Sequence, residues 1–245
     1  MTVIAHLSDP HLDGSAQRLR RFQAVLEQVA DLPEVDAIVI SGDLADHGAA
    51  SEYEQFFDTL PRAFPILVVA GNHDLAGPLL DALSNRGFPD TLNSTLDIPG
   101  VRLVGLDSHV DQHDEGTLAA AALEYAREQL ASTDRPVVLA LHHPPVPVGH
   151  HIMDRLGLSN ADDLAEIVRA HDHIIGIFTG HVHSALATTW AGVPLIGAPG
   201  IASTMRLGSK VDPIADPNAM PGLAVHTMTD KTISTVFHYL SPAAL

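Results

Sequence analysis

Asp, His and Asn gather in this chain into five tight clusters, and a short apolar run leads into each. Residues 2–7 lead into Asp9-Pro10-His11, and 37–40 into Gly42-Asp43. Residues 66–70 lead into Gly71-Asn72-His73-Asp74, 137–141 into His142-His143, and 174–179 into Gly180-His181-Val182-His183. Imidazole, carboxylate and amide oxygen are donors suited to Mn, Fe, Co or Zn. An Asp-x-His pair on an extended strand end is expected to aim both side chains at one ion, because alternate residues face the same side. Gly180-His181-x-His183 offers two imidazoles by the same spacing. Each cluster alone is weak. Together, all at strand ends, they predict a metal site.

The elements that must position these donors follow from the apolar runs. A continuous run of Val, Ile, Leu and Ala reads as a buried parallel strand, and functional groups of open α/β sheets collect beyond the carboxyl ends of such strands. Five strands should therefore present their clusters on one rim. Between them, 17–30, 51–60, 77–85, a segment starting at Thr117, and 160–171 read as helices, with Asn160 as an N-cap. Strand and helix alternate through residue 180, as in crossover units. After Gly180, short strands at 185–190, 193–197, 223–228 and 232–239 follow without a long helix. Two sheets packed face to face with helices outside accommodate both halves, as one domain over 1–245. Loops 144–159 and 199–222 are expected to border the site.

Composition narrows the classes. The absence of cysteine removes thiolate nucleophiles and sulfur-ligated metals, so any ion must rest on imidazole, carboxylate and amide. The net charge of −17 disfavours non-specific contact with a nucleic-acid backbone, and Lys210 and Lys231 are the only lysines. No apolar run approaches the roughly 18 residues of a membrane span, and no apolar leader precedes the first strand. A soluble, cytoplasmic protein is expected.

The series Asp-x-His, Gly-Asp-x-x-Asp, Gly-Asn-His-Asp, His, Gly-His-x-His resembles the calcineurin-like metallophosphoesterases, and it extends from Asp9 to His183. The resemblance implies a four-layer α/β/β/α sandwich of two mixed sheets, with a dinuclear metal centre at the strand C-terminal ends. It implies that Asp9, His11 and His183 hold one metal and Asn72, His142 and His181 the other. Asp43 would bridge the two, one oxygen to each, across roughly 3.5–4 Å. His73 would contact the substrate phosphate or protonate the leaving oxygen, with Asp46 orienting and charging it. The implied cofactors are two divalent or mixed-valence ions of Mn, Fe or Zn, and the implied step is attack of a metal-bridging hydroxide on phosphorus. Related enzymes are often dimers, so the assembly suggested is a homodimer.

Other donors have plainer readings. Asp107-Ser108-His109 after 101–106 reads as a strand-end turn. His143, directly after a ligand, should point the opposite way and serve packing or a bond that supports a ligand rather than coordination. His150 and His151 read as solvent-exposed loop residues, His6 as a satisfied core histidine, and His47, His113, His171, His173, His226 and His238 as structural or surface groups. Ser8, Ser41 and Ser203 lie in no nucleophile elbow. The flanks, His142-His143-Pro144-Pro145 with Met153-Asp154 downstream and Pro221-Gly222 entering a strand, look most like the class III cyclic nucleotide group. The expected partner is thus a small phosphodiester, cyclic AMP or a relative, with a glycerophosphodiesterase or a broad-specificity phosphodiesterase or phosphatase as the alternative. A non-catalytic metal-binding regulator is the reading from another class, and the pairing of Asp46 with His73 speaks against it.

Overall fold

The computed structural model describes residues 1–206, 214–229 and 232–244. In chain order its elements are β1 (Thr2–Leu7), α1 (Ala16–Ala30), β2 (Ala37–Ser41), α2 (Ala50–Thr59), β3 (Ile66–Val69), α3 (Ala76–Ser84), β4 (Ser94–Ile98), β5 (Val101–Gly105), α4 (Ala120–Ala131), β6 (Val137–Ala140), α5 (Ala161–Ala170), β7 (Ile174–Thr179), β8 (Leu186–Trp190), β9 (Val193–Gly197), β10 (Thr204–Met205), β11 (Ala215–Asp216), β12 (Gly222–Met228) and β13 (Ile233–Tyr239).

One sheet runs β13-β12-β1-β2-β3 and the other β4-β5-β6-β7-β9-β8. The five cluster-bearing strands are parallel within each sheet, β1-β2-β3 in the first and β6-β7 in the second. The late strands β12 and β13 join antiparallel, with β12 laid along β1. Ile4, Val39, Leu67 and Val69 meet Val138, Phe178 and Ile196 between the sheets. Phe22, Val25 and Val29 of α1, Phe56 of α2 and Leu83 of α3 cover the outer face of the first sheet. Leu123 and Leu130 of α4 and Leu164 and Val168 of α5 cover the second. That is the four-layer sandwich expected from the sequence, and face-to-face stacking of the two sheets brings the ends of β1, β2, β3, β6 and β7 together.

Three details differ from expectation. β4 was hidden by its polar content (Ser-Thr-Leu-Asp-Ile), which suits an edge strand with little of its length buried. Asn160 stands at the N-cap of α5 as expected, but its side chain makes no capping bond: its amide pairs with both main-chain groups of Leu118. Loop 199–222 lies partly outside the described residues, at 207–213. Its described part is tied down by Arg21 of α1, whose guanidinium donates to the carbonyls of Ile201 (2.8 Å) and Ala219 (2.6 Å). Among the described residues no helix is long and apolar enough to cross a membrane.

Candidate metal centre

The strands stop one or two residues before the donors, and the chain then turns sharply. Asp9, His11, Asp43, His181 and His183 all sit in the left-handed backbone region, with φ between 46° and 70°. Only eight described residues other than glycine do so. Asp and His tolerate that region better than most side chains, yet such positions persist only where the surroundings hold them. The expectation that alternate residues of an extended strand aim at one ion is therefore corrected. The Asp-x-His and His-x-His pairs converge because both members are left-handed in a turn. His143 is corrected on the same ground. β6 ends at Ala140, so the rule of opposite faces does not apply, and a ring nitrogen of His143 lies within 4.8 Å of those of His142 and His181.

Close approach of the turns explains two glycines. A side chain at Gly42, where φ is +99°, would collide with the His142 ring, and one at Gly71 would collide with the Asp43 carboxylate. The turns are then locked together by Asp74, which is buried and accepts from the backbone N–H of Gly71 (2.8 Å), Ala45 (3.1 Å) and Leu44 (3.2 Å). Burial, with Asp43 nearby, pushes the Asp74 carboxyl up to about 6.

All seven expected ligands meet at this junction. His11 Nε2 lies 3.1 Å from His183 Nε2 and 3.3 Å from Asp43 Oδ2, while His183 Nε2 lies 3.3 Å from Asp9 Oδ1. On the other side, His142 Nε2 lies 3.4 Å from Asp43 Oδ2 and 3.1 Å from Asn72 Oδ1, which is 2.9 Å from His181 Nδ1. For metal–ligand bonds near 2.1 Å, neighbouring donors stand about 3.0 Å apart in an octahedron and about 3.4 Å apart in a tetrahedron. The spacing fits two coordination shells sharing Asp43. Asp43 faces both with one oxygen, Oδ2, because Oδ1 accepts from the His73 N–H at 2.9 Å. That differs from the expected division of one oxygen to each side.

The unused ring nitrogens of three of the four imidazole donors are anchored, while that of His181, Nε2, is buried without a partner. His142 Nδ1 donates to the Ser41 carbonyl (2.7 Å), His11 Nδ1 donates to Asp46 Oδ1 (2.8 Å), and His183 Nδ1 is bonded to the Ser203 hydroxyl (2.7 Å). Such anchors fix which nitrogen faces a metal. Asp46 thus orients His11 with its carboxylate. It orients His73 with its main-chain carbonyl, which accepts from His73 Nδ1 at 2.9 Å, the carboxylate being 3.9 Å away.

The protein alone does not satisfy this cluster. Asp9 Oδ2 is buried without a hydrogen-bond partner, and a buried polar atom in that state is rare. Burial pushes the Asp9 carboxyl up, but the His183 imidazole outweighs it and holds the group at about 2. Against the pull of burial, Asp43 raises His11 to about 10 and His142 to about 9. Burial holds His181 at about 3. Acids and imidazoles here hold one another's charge, and two divalent ions would replace the protons on His11 and His142. The donor set fits such a pair of ions.

Several histidines and serines turn out to be supports. His6 is the satisfied core histidine expected, bonded to Ser41 Oγ (2.9 Å) and to His226 (3.2 Å). Ser108 holds His143 Nδ1 at 2.8 Å. His150 is buried rather than solvent-exposed, and its ring lies beside the N–H of Met153. His109 pairs within its own loop with Asp107 (2.7 Å) and Asp111 (3.1 Å). Ser203 and Asp74 carried no signal in the sequence as supports. Ser203 is 20 residues from the histidine it anchors. Asp74 stands inside a cluster of ligand-type side chains, where a carboxylate passes for one more donor.

A cavity of about 350 Å³ opens on this centre and includes His11, Asp43, Asn72, His73, His181 and His183 in its lining. A "Probable cyclic nucleotide phosphodiesterase" of Synechococcus is 30% identical over 165 residues, 65% of this chain and 64% of that protein. The "Glycerophosphodiester phosphodiesterase GpdQ" of Enterobacter lignolyticus is 29% identical over 203 residues, 77% of this chain and 73% of the other. The chain therefore spans just under two thirds of the first relative's length. A dimetal phosphatase from Danio rerio has the same fold, with a TM-score of 0.70 over 96% of this chain and 98% of that one, at 14% identity. Residues 2–185 match the family model described as calcineurin-like phosphoesterase, a family that uses dinuclear metal centres. The chain belongs to the calcineurin-like phosphoesterases.

Proposed function

We propose that this chain is a metal-dependent phosphodiesterase acting on a small diester, with cyclic AMP or a related cyclic nucleotide as the leading substrate. The observation that carries this is the pair of donor sets sharing Asp43 Oδ2, with Asp9 Oδ2 buried and unpaired beside it. Asp9, His11, His183 and Asp43 would hold one ion, and Asn72, His142, His181 and Asp43 the other. When bound, a pair of Mn, Fe or Zn ions supplies Lewis acidity toward phosphoryl oxygens and a strong nucleophile at neutral pH.

The remaining work falls to His73 and Asp46. His73 Nδ1–H is committed to the Asp46 carbonyl, so Nε2 is the nitrogen left to meet substrate, and the ring is partly open to the cavity. Hydrolysis adds hydroxyl to phosphorus and a proton to the departing oxygen, and His73 Nε2 delivers that proton. Asp46 keeps both His11 and His73 in register. The similarity to the Synechococcus protein supports a cyclic nucleotide, and that to GpdQ supports a glycerophosphodiester as the second reading. The pairing of β12 with β1 supports one unit over the whole chain.

The test is elemental analysis of purified protein together with turnover of cyclic AMP, a glycerophosphodiester and bis-nitrophenyl phosphate, with manganese added. About two metal equivalents and turnover of a diester are expected. Turnover confined to monoesters, or metal without turnover of any ester, overturns the assignment.

A further inference from the structure

The metal donors are divided between the two sheets. Asp9, His11, Asp43 and Asn72 follow strands of the first, and His142, His181 and His183 follow strands of the second. Apolar packing is non-directional, so the aliphatic residues between the sheets join them without fixing their offset. Ligand distances must hold within about 0.2 Å. Something directional has to set one sheet against the other beneath the centre.

A buried polar chain stands at that place. Thr235 Oγ1 of β13 meets His226 Nδ1 of β12 (2.9 Å), and His226 Nε2 meets His6 Nδ1 of β1 (3.2 Å). His6 Nε2 meets Ser41 Oγ at the end of β2 (2.9 Å), and Ser41 Oγ donates to Ser8 Oγ (2.8 Å). His6, Ser8, Ser41 and His226 are fully buried. Burial holds the His6 imidazole at about 3 and that of His226 well below 6.5, so both rings are neutral and each donates once. Three contacts carry the chain across to the second sheet. Phe178 of β7 stacks on both rings, with centroids 4.0 Å from His226 and 4.9 Å from His6, and its carbonyl accepts from the N–H of Leu141, next to His142 (3.0 Å). The Ser41 carbonyl accepts from His142 Nδ1 (2.7 Å). A side chain at Gly180, next to His181, would collide with Ser8 Oγ and the Ser41 carbonyl, so the turns touch there.

We infer that His6 is a positioning residue of the metal centre, locking β6 and β7 over β1 and β2 so that His142 and His181 meet Asn72. The inference rests on the two-ion reading of the centre and is independent of which ester is cleaved. Ile4, Val39, Val138 and Ile196 fill the surrounding core, and an apolar side chain in place of His6 would avoid the cost of burying a polar ring. What a fully satisfied polar network adds is direction, one arrangement in place of several similar ones. Its contacts with the second sheet all end beside His142 or His181, in the Asn72 half. The Asp9 half has a separate tie: Ser203 holds His183, and the neighbouring Ala202 N–H donates to the Asp9 carbonyl (3.0 Å).

The test is stepwise manganese titration of the metal-free full chain by calorimetry, for the wild type, His6→Phe, His6→Gln and Ser41→Ala. His6→Phe keeps a ring against Phe178 and removes both hydrogen bonds. His6→Gln restores an amide that can reach Ser41, and Ser41→Ala removes the hydroxyl while keeping the carbonyl. The wild type should bind two ions, the weaker in the half without a carboxylate of its own. In His6→Phe and Ser41→Ala that ion should lose about tenfold or more in affinity and the tighter one less than about threefold. His6→Gln should return to within about threefold of the wild type. In an Asn72→Ala background, where only the Asp9 half is intact, adding His6→Phe should move the remaining affinity by less than about threefold. Equal weakening of both ions, or a lowered Tm with both affinities unchanged, overturns the inference and returns His6 to ordinary packing. Should His6→Phe fail to fold, Ser41→Ala decides by the same criteria. A wild type that binds fewer than two ions overturns the two-ion reading and this inference with it. The expected titrations without hydrolysis of any diester support the inference and overturn only the reaction assigned above.

Discussion

The two halves of the candidate centre are built from different materials. The half made by Asp9, His11 and His183 has a carboxylate of its own, and its imidazoles are anchored by side chains, Asp46 for His11 and Ser203 for His183. The half made by Asn72, His142 and His181 has only neutral donors besides the shared Asp43. Its His142 is fully buried and anchored by a main-chain carbonyl, Ser41. The Asp9 half should attract a cation more strongly through charge. The Asn72 half should be the more rigid, because its anchor cannot be removed by exchanging a side chain. Unequal binding of two like ions is the physical consequence.

Asp43 is where the halves join, so its loss should erase the contrast. Asp43→Asn is expected to leave less than one equivalent of metal and to lower kcat by about a thousandfold or more, because several kcal/mol of charge stabilisation are at stake. Metal analysis beside kinetics checks it; a variant that keeps two ions denies Asp43 its shared role. His73 belongs to neither half. His73→Ala should lower kcat about a hundredfold or more while metal content stays near that of the wild type. Loss of metal instead would make His73 a ligand.

Ser203→Ala and Asp46→Asn sharpen the contrast directly. Each should weaken the first-loaded ion about tenfold to a hundredfold, the usual effect of removing a group that orients a metal-binding histidine. Stepwise manganese titration should show one class of site moving and the other staying; equal weakening of both would dissolve the distinction. The mildest expectation concerns pH. His11 and His142 carry raised values, so their stabilisation of the metal-free fold is complete below their ordinary 6.5 and is lost as pH climbs through about 9 and 10. His6 and His181 are depressed to about 3, so theirs is present above 6.5 and is lost as pH falls toward 3. The metal-free protein should therefore melt highest near pH 6.5, and the rise in Tm on adding manganese should grow from pH 6.5 to 9. A gain that shrinks over that interval contradicts protonated His11 and His142.

The strands could be read from the sequence because a buried parallel strand leaves an unbroken apolar run: β1 and β7 have the ends expected from it. The donors could be read because metal chemistry admits few side chains, and they fall where the runs stop. The backbone that aims them was not legible. Nothing in Asp9-Pro10-His11 states that its Asp and His are left-handed, since that conformation is imposed by neighbours far away in the chain. Asp74 was visible as a residue but was given no role, because a carboxylate that accepts three backbone N–H groups has the same letter as one that binds a cation. Ser203, contributed by a loop 20 residues beyond the histidine it holds, had no local signal at all.

The seating of β12 beside β1 has a bearing on how the enzyme is made. The strand that leads into Asp9 stays open along one edge until residues 222–228 have left the ribosome. At roughly 5–20 residues per second, that delay is on the order of ten to forty seconds. The nascent chain must spend it with its earliest metal donor unsupported. Binding of a pair of ions would then await the late strand, and the supply of ions at that moment would bear on which element the folded chain holds.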